Sequence, residues 1–193
     1  ECVSFLPYAP VPAFQHFIKK IRKAGIQTAA EEESTAFPQW VLEYIDSKVG
    51  FRTEMQRLAT TNRRILIPEG FVARNAKEAM SIAEWFYAQG RSAVIKVNFG
   101  ESGWGLWTLK AEVFSNAAAA RRTFRSLVSS DPVWVDTLFI VEEFIQHDER
   151  VAGGSPSVEL FIGNDGPRVT YCCGQLLDHG QFFGIEMGKG VLS

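Results

Sequence analysis

The sequence predicts an α+β fold with antiparallel sheets. From residue 71 onward, short apolar runs and amphipathic stretches follow one another in the order β-α-β-β-α-β, a pattern typical of helices packed on one antiparallel sheet. The last third of the chain consists mostly of strand-like runs, and Asn164, Asp165 and Gly166 form a hairpin signal between two of them. No internal repeat or low-complexity tract interrupts these patterns.

Residues 1–66 are predicted to form a helical and linker segment. Three prolines among the first twelve residues predict an irregular start. Apolar residues then recur at helical spacing up to Gly25, and an acidic stretch at 29–35 is interpreted as a loop. Two more helices are predicted over 39–48 and 51–59, because their apolar residues again recur at helical spacing.

The central segment carries the β-α-β-β-α-β pattern. Asn75 and Glu78 form a capping box for a helix that ends before Gly90. A second helix begins at Ser115 and ends near Ser130, ahead of a proline. The predicted strands cover 71–73, Ala93–Val97, 105–109, 138–142, 157–162, 169–176 and 182–187.

The amino-acid composition excludes several classes of protein. With 193 residues, 46% of them hydrophobic, the chain can bury a core. The formal net charge of −2 gives no drive toward nucleic acid, and no apolar run reaches the roughly 18 residues that a membrane span needs. Three cysteines without a C-x-x-C spacing favour free thiols in a reducing cytoplasm. The chain begins with Glu1 and has no signal-peptide pattern, so we expect it to be part of a longer cytoplasmic protein.

The stretch VIKVNFGESGWGLWTLK (94–110) places Lys96 inside a strand, ahead of a loop with three glycines. Backbone N–H groups approach phosphates closely where no Cβ intervenes, and a lysine adds a positive charge. Because the loop joins strand to strand, neither a P-loop nor a dinucleotide-binding fingerprint fits. Two interpretations stay open: a flexible cover over nucleotide phosphates, or an ordinary hairpin whose lysine extends its ammonium to water.

Six motifs occur in the order found in ATP-grasp ligases: IDSKVGFRTEMQRL (45–58), IPEGFVA (67–73), VIKVNFGESGWG (94–105), FIVEEFI (139–145), GGSPSVELFIGNDG (153–166) and CGQLLDHGQFFG (173–184). Over roughly residues 45–187, the chain resembles the ATP-grasp superfamily, and within it the bacterial carboxylate–amine ligases of the peptide-ligase type. The resemblance implies an ATP-grasp-like fold, with a small lid subdomain at 67–145 and the start of the large, antiparallel-sheet subdomain at 146–193.

The resemblance also implies a nucleotide site. Lys48 resembles the first nucleotide lysine, and Lys96 resembles the strand lysine that touches adenine and the α-phosphate. The phosphate-covering loop corresponds to Gly100, Glu101, Ser102, Gly103 and Gly105, with the Ser102 hydroxyl as a donor. The hinge that reads the adenine amino group corresponds to Glu142, Glu143, Phe144 and Ile145. The ribose-binding acid corresponds to Glu149 or to Asp148.

Without the resemblance, several of these residues could have structural roles that do not involve a nucleotide. Glu142 and Glu143 could be a charged strand end that faces solvent, and Lys48 could complement the dipole at a helix C-terminus. Trp104 and Trp107 are expected to pack in the core of the small subdomain, and the alternative is an aromatic residue of the lid.

Gln175 is the candidate catalytic polar group, and Arg168 is a candidate phosphate partner. The resemblance implies ATP and Mg²⁺, which family members hold with hard oxygen ligands that include a Glu-x-Asn pair. This chain has no Glu-x-Asn, so we assign no metal ligand within it and expect the ligands beyond Ser193.

The implied activity of the parent protein is ATP-dependent formation of an amide or peptide bond. A small-molecule carboxylate is phosphorylated to an acyl phosphate, and an amine or amino acid then attacks it. We expect this chain alone to be incomplete and inactive. We expect no nucleic acid or membrane partner, and the sequence leaves open whether the protein forms a homo-oligomer. The alternatives are a non-catalytic nucleotide-binding or interaction module, and an α+β scaffold with a chance glycine hairpin.

Overall fold

The computed structural model describes residues 2–7, 11–30, 38–101, 103–114, 116–163, 165–178 and 181–188. Ser102, Ser115 and Asn164, which carry predictions above, lie outside these ranges. The chain separates into two units, Glu1–Phe51 and Arg52–Ser193, with the boundary inside a helix. The subdomain limits at residues 66 and 145 stay predictions.

The first unit begins with β1 (Cys2–Phe5), α1 (Pro12–Lys23) and β2 (Gln27–Ala30). The two strands pair in parallel, with Cys2 opposite Gln27. The prediction of an irregular start is wrong for β1, and the predicted loop at 29–35 is wrong for its first two residues. Each strand has only four residues, and a parallel pair joins runs that are distant in sequence, so local patterns do not reveal it.

Helix α1 packs on β1 through aromatic rings. The ring of Phe5 lies edge-on to the rings of Phe14 and Phe17, with centroids 6.5 and 5.6 Å apart. Pro12 occupies the first turn of the helix, where a missing N–H costs nothing, and Gly25 follows its end with a φ of 83°. The predicted helix is therefore confirmed.

The break between α2 (Gln39–Asp46) and α3 (Lys48–Thr61) falls at Ser47. The Ser47 hydroxyl accepts a hydrogen bond from the N–H of Gly50 at 2.9 Å and donates one to the carbonyl of Tyr44 at 2.8 Å. The serine therefore caps the second helix. Lys48 begins α3, so the alternative that it complements a helix C-terminus is wrong.

The second unit contains a four-stranded sheet in the order β3-β6-β4-β5, with every pair antiparallel. The predicted β-α-β-β-α-β order is confirmed. Its elements are β3 (Gly70–Ala73), α4 (Ala76–Tyr87), β4 (Ala93–Val97), β5 (Leu106–Leu109), α5 (Ala117–Ser130) and β6 (Phe139–Glu143).

Helices α4 and α5 each begin at an asparagine cap. The side chain of Asn75 accepts from the N–H of Glu78 at 2.9 Å, and that of Asn116 accepts from the N–H of Ala119 at 2.9 Å. The carboxylate of Glu78 turns back to the N–H of Arg74 at 2.8 Å, one residue before the expected position in a capping box.

The main core lies between α4, α5 and one face of the sheet. Its largest fully buried rings are Phe86, Phe124 and Phe139. The ring of Trp107 lies 5.0 Å from that of Phe124, as predicted, whereas Trp104 is 59% exposed and the core prediction for it is wrong. None of the helices in the described ranges is both long and apolar enough to cross a membrane.

A separate three-stranded antiparallel sheet follows, formed by β7 (Pro156–Gly163), β8 (Gly166–Asp178) and β9 (Gln181–Glu186). Gly163 lies opposite Gly166, so β7 and β8 form the predicted hairpin. Cys173 is a buried free thiol on β8. The predicted strands are confirmed: β7 and β8 are longer than expected, and β9 has the expected length but begins one residue earlier.

Candidate functional site

The glycine loop is a closed turn between β4 and β5. The N–H of Val97 donates to the carbonyl of Gly105 at 2.8 Å, and the N–H of Trp104 donates to the carbonyl of Glu101 at 2.7 Å. Gly105 has a φ of 72°, and a Cβ there would lie 2.2 Å from Cγ2 of Val97. Glycine at this position is therefore required by the turn itself.

Trp104 links this loop to a second element. Its indole Nε1 donates to Oδ2 of Asp131 at 3.2 Å, while Oδ1 of the same aspartate accepts from the N–H of Val133 at 2.9 Å. Asp131 caps the 3-10 helix Pro132–Trp134. A hydrogen bond from an exposed ring therefore tethers one side of the loop.

Lys96 and Glu142 lie on the sheet face opposite the main core. Side chains alternate between faces along a strand, and their strand neighbours Ile95 and Val141 belong to the core cluster. Nζ of Lys96 lies 2.6 Å from Oε2 of Glu142 across β4 and β6. Glu142 is buried, so the alternative of a solvent-facing strand end is wrong for it.

The other oxygen of Glu142 is held by Arg52, a residue of α3. Nη1 of Arg52 lies 2.5 Å from Oε1 of Glu142. Nη2 donates to the carbonyls of Pro68 at 3.1 Å and Gly70 at 2.8 Å. The carboxylate is therefore bracketed by two cations, one on each oxygen.

Glu143 points the other way and has a different partner. Nη2 of Arg91 lies 2.6 Å from Oε2 of Glu143, and Nη1 lies 2.7 Å from Oε2 of Glu69. Hydrogen bonding to Arg91 lowers the pKa of Glu143 and raises the pKa of the arginine. The two consecutive acids therefore belong to two separate ion-pair groups.

Strand β6 ends at Glu143 and is followed by two residues whose backbone groups differ in their hydrogen bonding. The N–H of Phe144 donates to the carbonyl of Ser92 at 2.9 Å, and Nζ of Lys110 lies 5.7 Å from the centre of the Phe144 ring. Ile145 follows and is exposed. No hydrogen bond from another described residue occupies its backbone N–H or carbonyl. This is the kind of backbone edge with which a purine can pair.

No family model matches the chain, and no curated protein matches it either. Solved structures do match. D-alanyl-alanine synthetase A from Vibrio cholerae O1 biovar eltor str. N16961 aligns with a TM-score of 0.52 and 10% identity, over 91% of this chain and 46% of that chain. The ADP complex of purK, N5-carboxyaminoimidazole ribonucleotide synthetase, aligns with a TM-score of 0.52 and 14% identity, over 94% and 49%. D-cycloserine synthetase DcsG aligns with a TM-score of 0.50 and 11% identity, over 91% and 68%.

The chain has an ATP-grasp-like fold. The predicted fold class is thereby confirmed. At 10–14% identity these likenesses establish the fold alone, and the chain spans about half the length of the alanyl-alanine synthetase and of purK.

Two candidate residues, Gln175 and Arg168, lie on β8 of the three-stranded sheet and have local partners. Gln175 on β8 is half-buried, and its N–H donates to the carbonyl of Ser155 at 2.8 Å. The guanidinium of Arg168 is exposed and lies 4.7 Å from the centre of the Phe161 ring. No hydrogen bond or ion pair among the described residues joins either side chain to Lys96 or Glu142.

The two candidate ribose acids differ in their surroundings. Nη2 of Arg150 lies 2.6 Å from Oδ2 of Asp148, and this hydrogen bonding lowers the pKa of Asp148. Glu149 is exposed, with Oε1 4.0 Å from Nε2 of His147. Glu149 is thus the less constrained of the two, and the choice between them stays a prediction.

Within the described ranges, no group of three or more histidine, cysteine, aspartate or glutamate side chains could hold a metal ion. The described residues therefore offer no such cluster for a metal ion, and no chemical step below depends on one.

Sequence reasoning missed Arg52 and Arg91. Arg52 follows Lys48 by four residues, a spacing that places side chains on one helix face, and this was the available signal. Arg91 precedes β4 in a segment that carried no recognisable motif. Arg52 pairs with Glu142 at a separation of 90 positions, and Arg91 pairs with Glu143 and Glu69 at separations of 52 and 22, which no local pattern reveals.

Proposed function

We propose that this chain is the ATP-binding portion of a ligase that joins a carboxylate to an amine through an acyl phosphate. The observation that carries the proposal is the Lys96–Glu142 pair, because Glu142 lies three residues before the open backbone edge at Ile145. The likeness to three synthetases, one of them solved with ADP, supports it.

The adenine base would lie against the sheet face that carries this pair. Val94 and Ile140 are buried apolar residues on that face and would form its floor. The backbone of Ile145 would supply one donor and one acceptor to the ring edge. The carboxylate of Glu142 would accept the amino hydrogen, because a carboxylate is an acceptor only.

The phosphates would extend toward the glycine loop. Lys96 would supply a positive charge, and the glycine loop would cover the chain of phosphates. Lys48 is proposed as a further nucleotide lysine. The residues proposed for this cover are Gly100, Glu101, Ser102, Gly103 and Gly105. Glu149 or Asp148 would bind the ribose, and Glu143 and Phe144 would position the hinge.

The reaction transfers a phosphoryl group and then an acyl group. A carboxylate oxygen of the first substrate attacks the γ-phosphorus, and ADP leaves. The amine nitrogen then attacks the acyl carbon, phosphate leaves, and the nitrogen loses a proton. Gln175 and Arg168 are proposed to contact the carboxylate substrate and the phosphate.

Calorimetric titration of ATP with Mg²⁺ tests the proposal. We expect binding by the wild-type protein and at least about tenfold weaker binding by Lys96→Ala, because a charge-assisted contact to phosphate is lost. Lys77→Ala is the matched control, since Lys77 is exposed on α4, and it should bind like wild type. Absence of binding by the wild type, or equal binding by Lys96→Ala, would contradict the proposal.

A second measurement separates a ligase from a nucleotide-binding module without catalysis. Because we expect this chain alone to be inactive, mixtures of amino acids and ATP are supplied to the parent protein that contains it, and release of ADP is followed. Release that depends on an added carboxylate and amine supports the ligase. Binding without any release favours the module.

A further inference from the structure

Arg52 is almost fully buried and makes several hydrogen bonds, although the function proposed above gives it no role. Its side chain is 6% exposed, and it donates to Glu142 and to the carbonyls of Pro68 and Gly70. Three acceptors, two carbonyls at and just before the start of β3 and one carboxylate oxygen on β6, therefore fix one guanidinium. A planar arginine with several acceptors has little freedom to move.

Lys96, the other cation on Glu142, is held differently. Its side chain is 29% exposed, and the hydrogen bond that ties its Nζ to the site goes to Oε2 of Glu142. A lysine has a flexible four-carbon stem and a compact charge that can change partners. Of the two cations, Lys96 can turn toward an arriving phosphate while Arg52 stays.

We propose that Arg52 is a positioning residue that sets the preference of this site for a 6-aminopurine nucleotide. The inference rests on the proposed function. Arg52 holds Oε1 of Glu142 and compensates its charge when Lys96 moves to the phosphates. Oε2 is then exposed to the base, at a fixed position, as a hydrogen-bond acceptor.

The chemistry of the base explains the selectivity. A 6-aminopurine offers an N–H to the carboxylate, whereas a 6-oxopurine offers an oxygen, and two acceptors repel each other. Without Arg52, the buried carboxylate would keep Lys96 as its counterion, because an uncompensated buried charge is costly. Neither Oε2 nor the lysine would then be available to the nucleotide.

The test compares the dissociation constants of ATP and ITP. We expect the wild-type protein to prefer ATP by at least about tenfold, as for one hydrogen bond to a charged group. In Arg52→Gln the preference should fall to within about threefold of unity, with Arg52→Lys between the two. Arg57→Gln is the control, since Arg57 lies on the same helix and pairs with the nearby Glu54 at 2.8 Å.

A measurement on the wild-type protein covers the case in which Arg52→Gln fails to fold. The guanidinium protons of Arg52 are followed by NMR with and without a non-hydrolysable ATP analogue. They should stay slow to exchange in the complex, while the Lys96 ammonium signal shifts. Fast exchange of the Arg52 protons in the complex would overturn the inference.

The remaining outcomes separate the two proposals. A wild-type protein that binds neither nucleotide overturns the proposed function. A wild-type protein that binds ATP and ITP equally, or an Arg52→Gln variant that weakens both by the same factor, leaves the proposed function standing and overturns the role of Arg52.

Discussion

Nζ of Lys96 lies 2.6 Å from Oε2 of Glu142, although neither residue is directly opposite the other. Lys96 lies opposite Ile140, and Glu142 lies opposite Val94, so the pair is diagonal across two antiparallel strands. Arg52 reaches the same carboxylate from a helix 90 positions earlier in the chain. This carboxylate therefore ties two strands and a helix together.

Glu142→Gln should destabilise the protein substantially. The change keeps the shape but leaves Arg52 buried beside a neutral amide, and removing one partner of a buried ion pair costs about 3 kcal/mol or more. Urea unfolding followed by circular dichroism measures the loss. Glu143→Gln is the control and should cost less, since its pair with Arg91 is more exposed. Equal losses would contradict the prediction.

Gly105→Ala should destabilise the protein more than Gly90→Ala does. Both glycines have a positive φ, 72° and 71°, so both changes impose about 1–2 kcal/mol of backbone strain. A Cβ at Gly105 would also lie 2.2 Å from Val97, whereas nothing lies within 4 Å of one at Gly90. The clash should add about 1–3 kcal/mol. Equal free energies of unfolding for the two variants would show that the loop relaxes freely.

Trp104→Phe should loosen the glycine loop without unfolding the protein. The change removes the 3.2 Å hydrogen bond from the indole to Asp131, and an exposed bond of this kind contributes about 1 kcal/mol or less. Hydrogen exchange measured by mass spectrometry should become faster over residues 98–105 and stay unchanged over β6. Trp85→Phe, at a half-exposed position on α4, is the control. Unchanged exchange in the loop would count against the tether.

The carboxyl group of Glu78 should titrate with a pKa of about 2. Hydrogen bonds from the Arg74 side chain, and then from its backbone N–H, lower the pKa from the ordinary value of 4.5. A pKa that is lower in the folded state stabilises the fold above pH 4.5, and this contribution is lost as the pH falls toward 2. Carbon-13 NMR of the carboxyl group measures the midpoint.

Arg74→Gln is the matched variant for this titration. It removes the guanidinium but keeps the backbone N–H at position 74, so the pKa of Glu78 should rise only part of the way. A midpoint near 4.5 in the wild-type protein would contradict the prediction.

Local patterns were enough to predict most elements of the second unit. Asn75 and Asn116 cap their helices with side chains that act on residues three positions away. Ala93–Val97 was predicted with its observed limits, because four of its five residues are buried. The missed elements, β1 and β2, are short and depend on each other. Ser47 divides two helices through a hydroxyl contact that apolar spacing does not report.

The sequence by itself determined the order of the elements from β3 to β9, the glycine turn after Lys96 and the acids at the end of β6, since caps, periodicity and motifs act over a few residues. Only the tertiary structure decided that Glu142 and Glu143 point to opposite faces and have different partners, Arg52 and Arg91. Alternation along the strand separates the two acids, and folding brings each arginine to its carboxylate from far along the chain. An ion pair between distant residues has no local signature, so the two ion pairs of Glu142, with Arg52 and Lys96, could be found only in the folded protein.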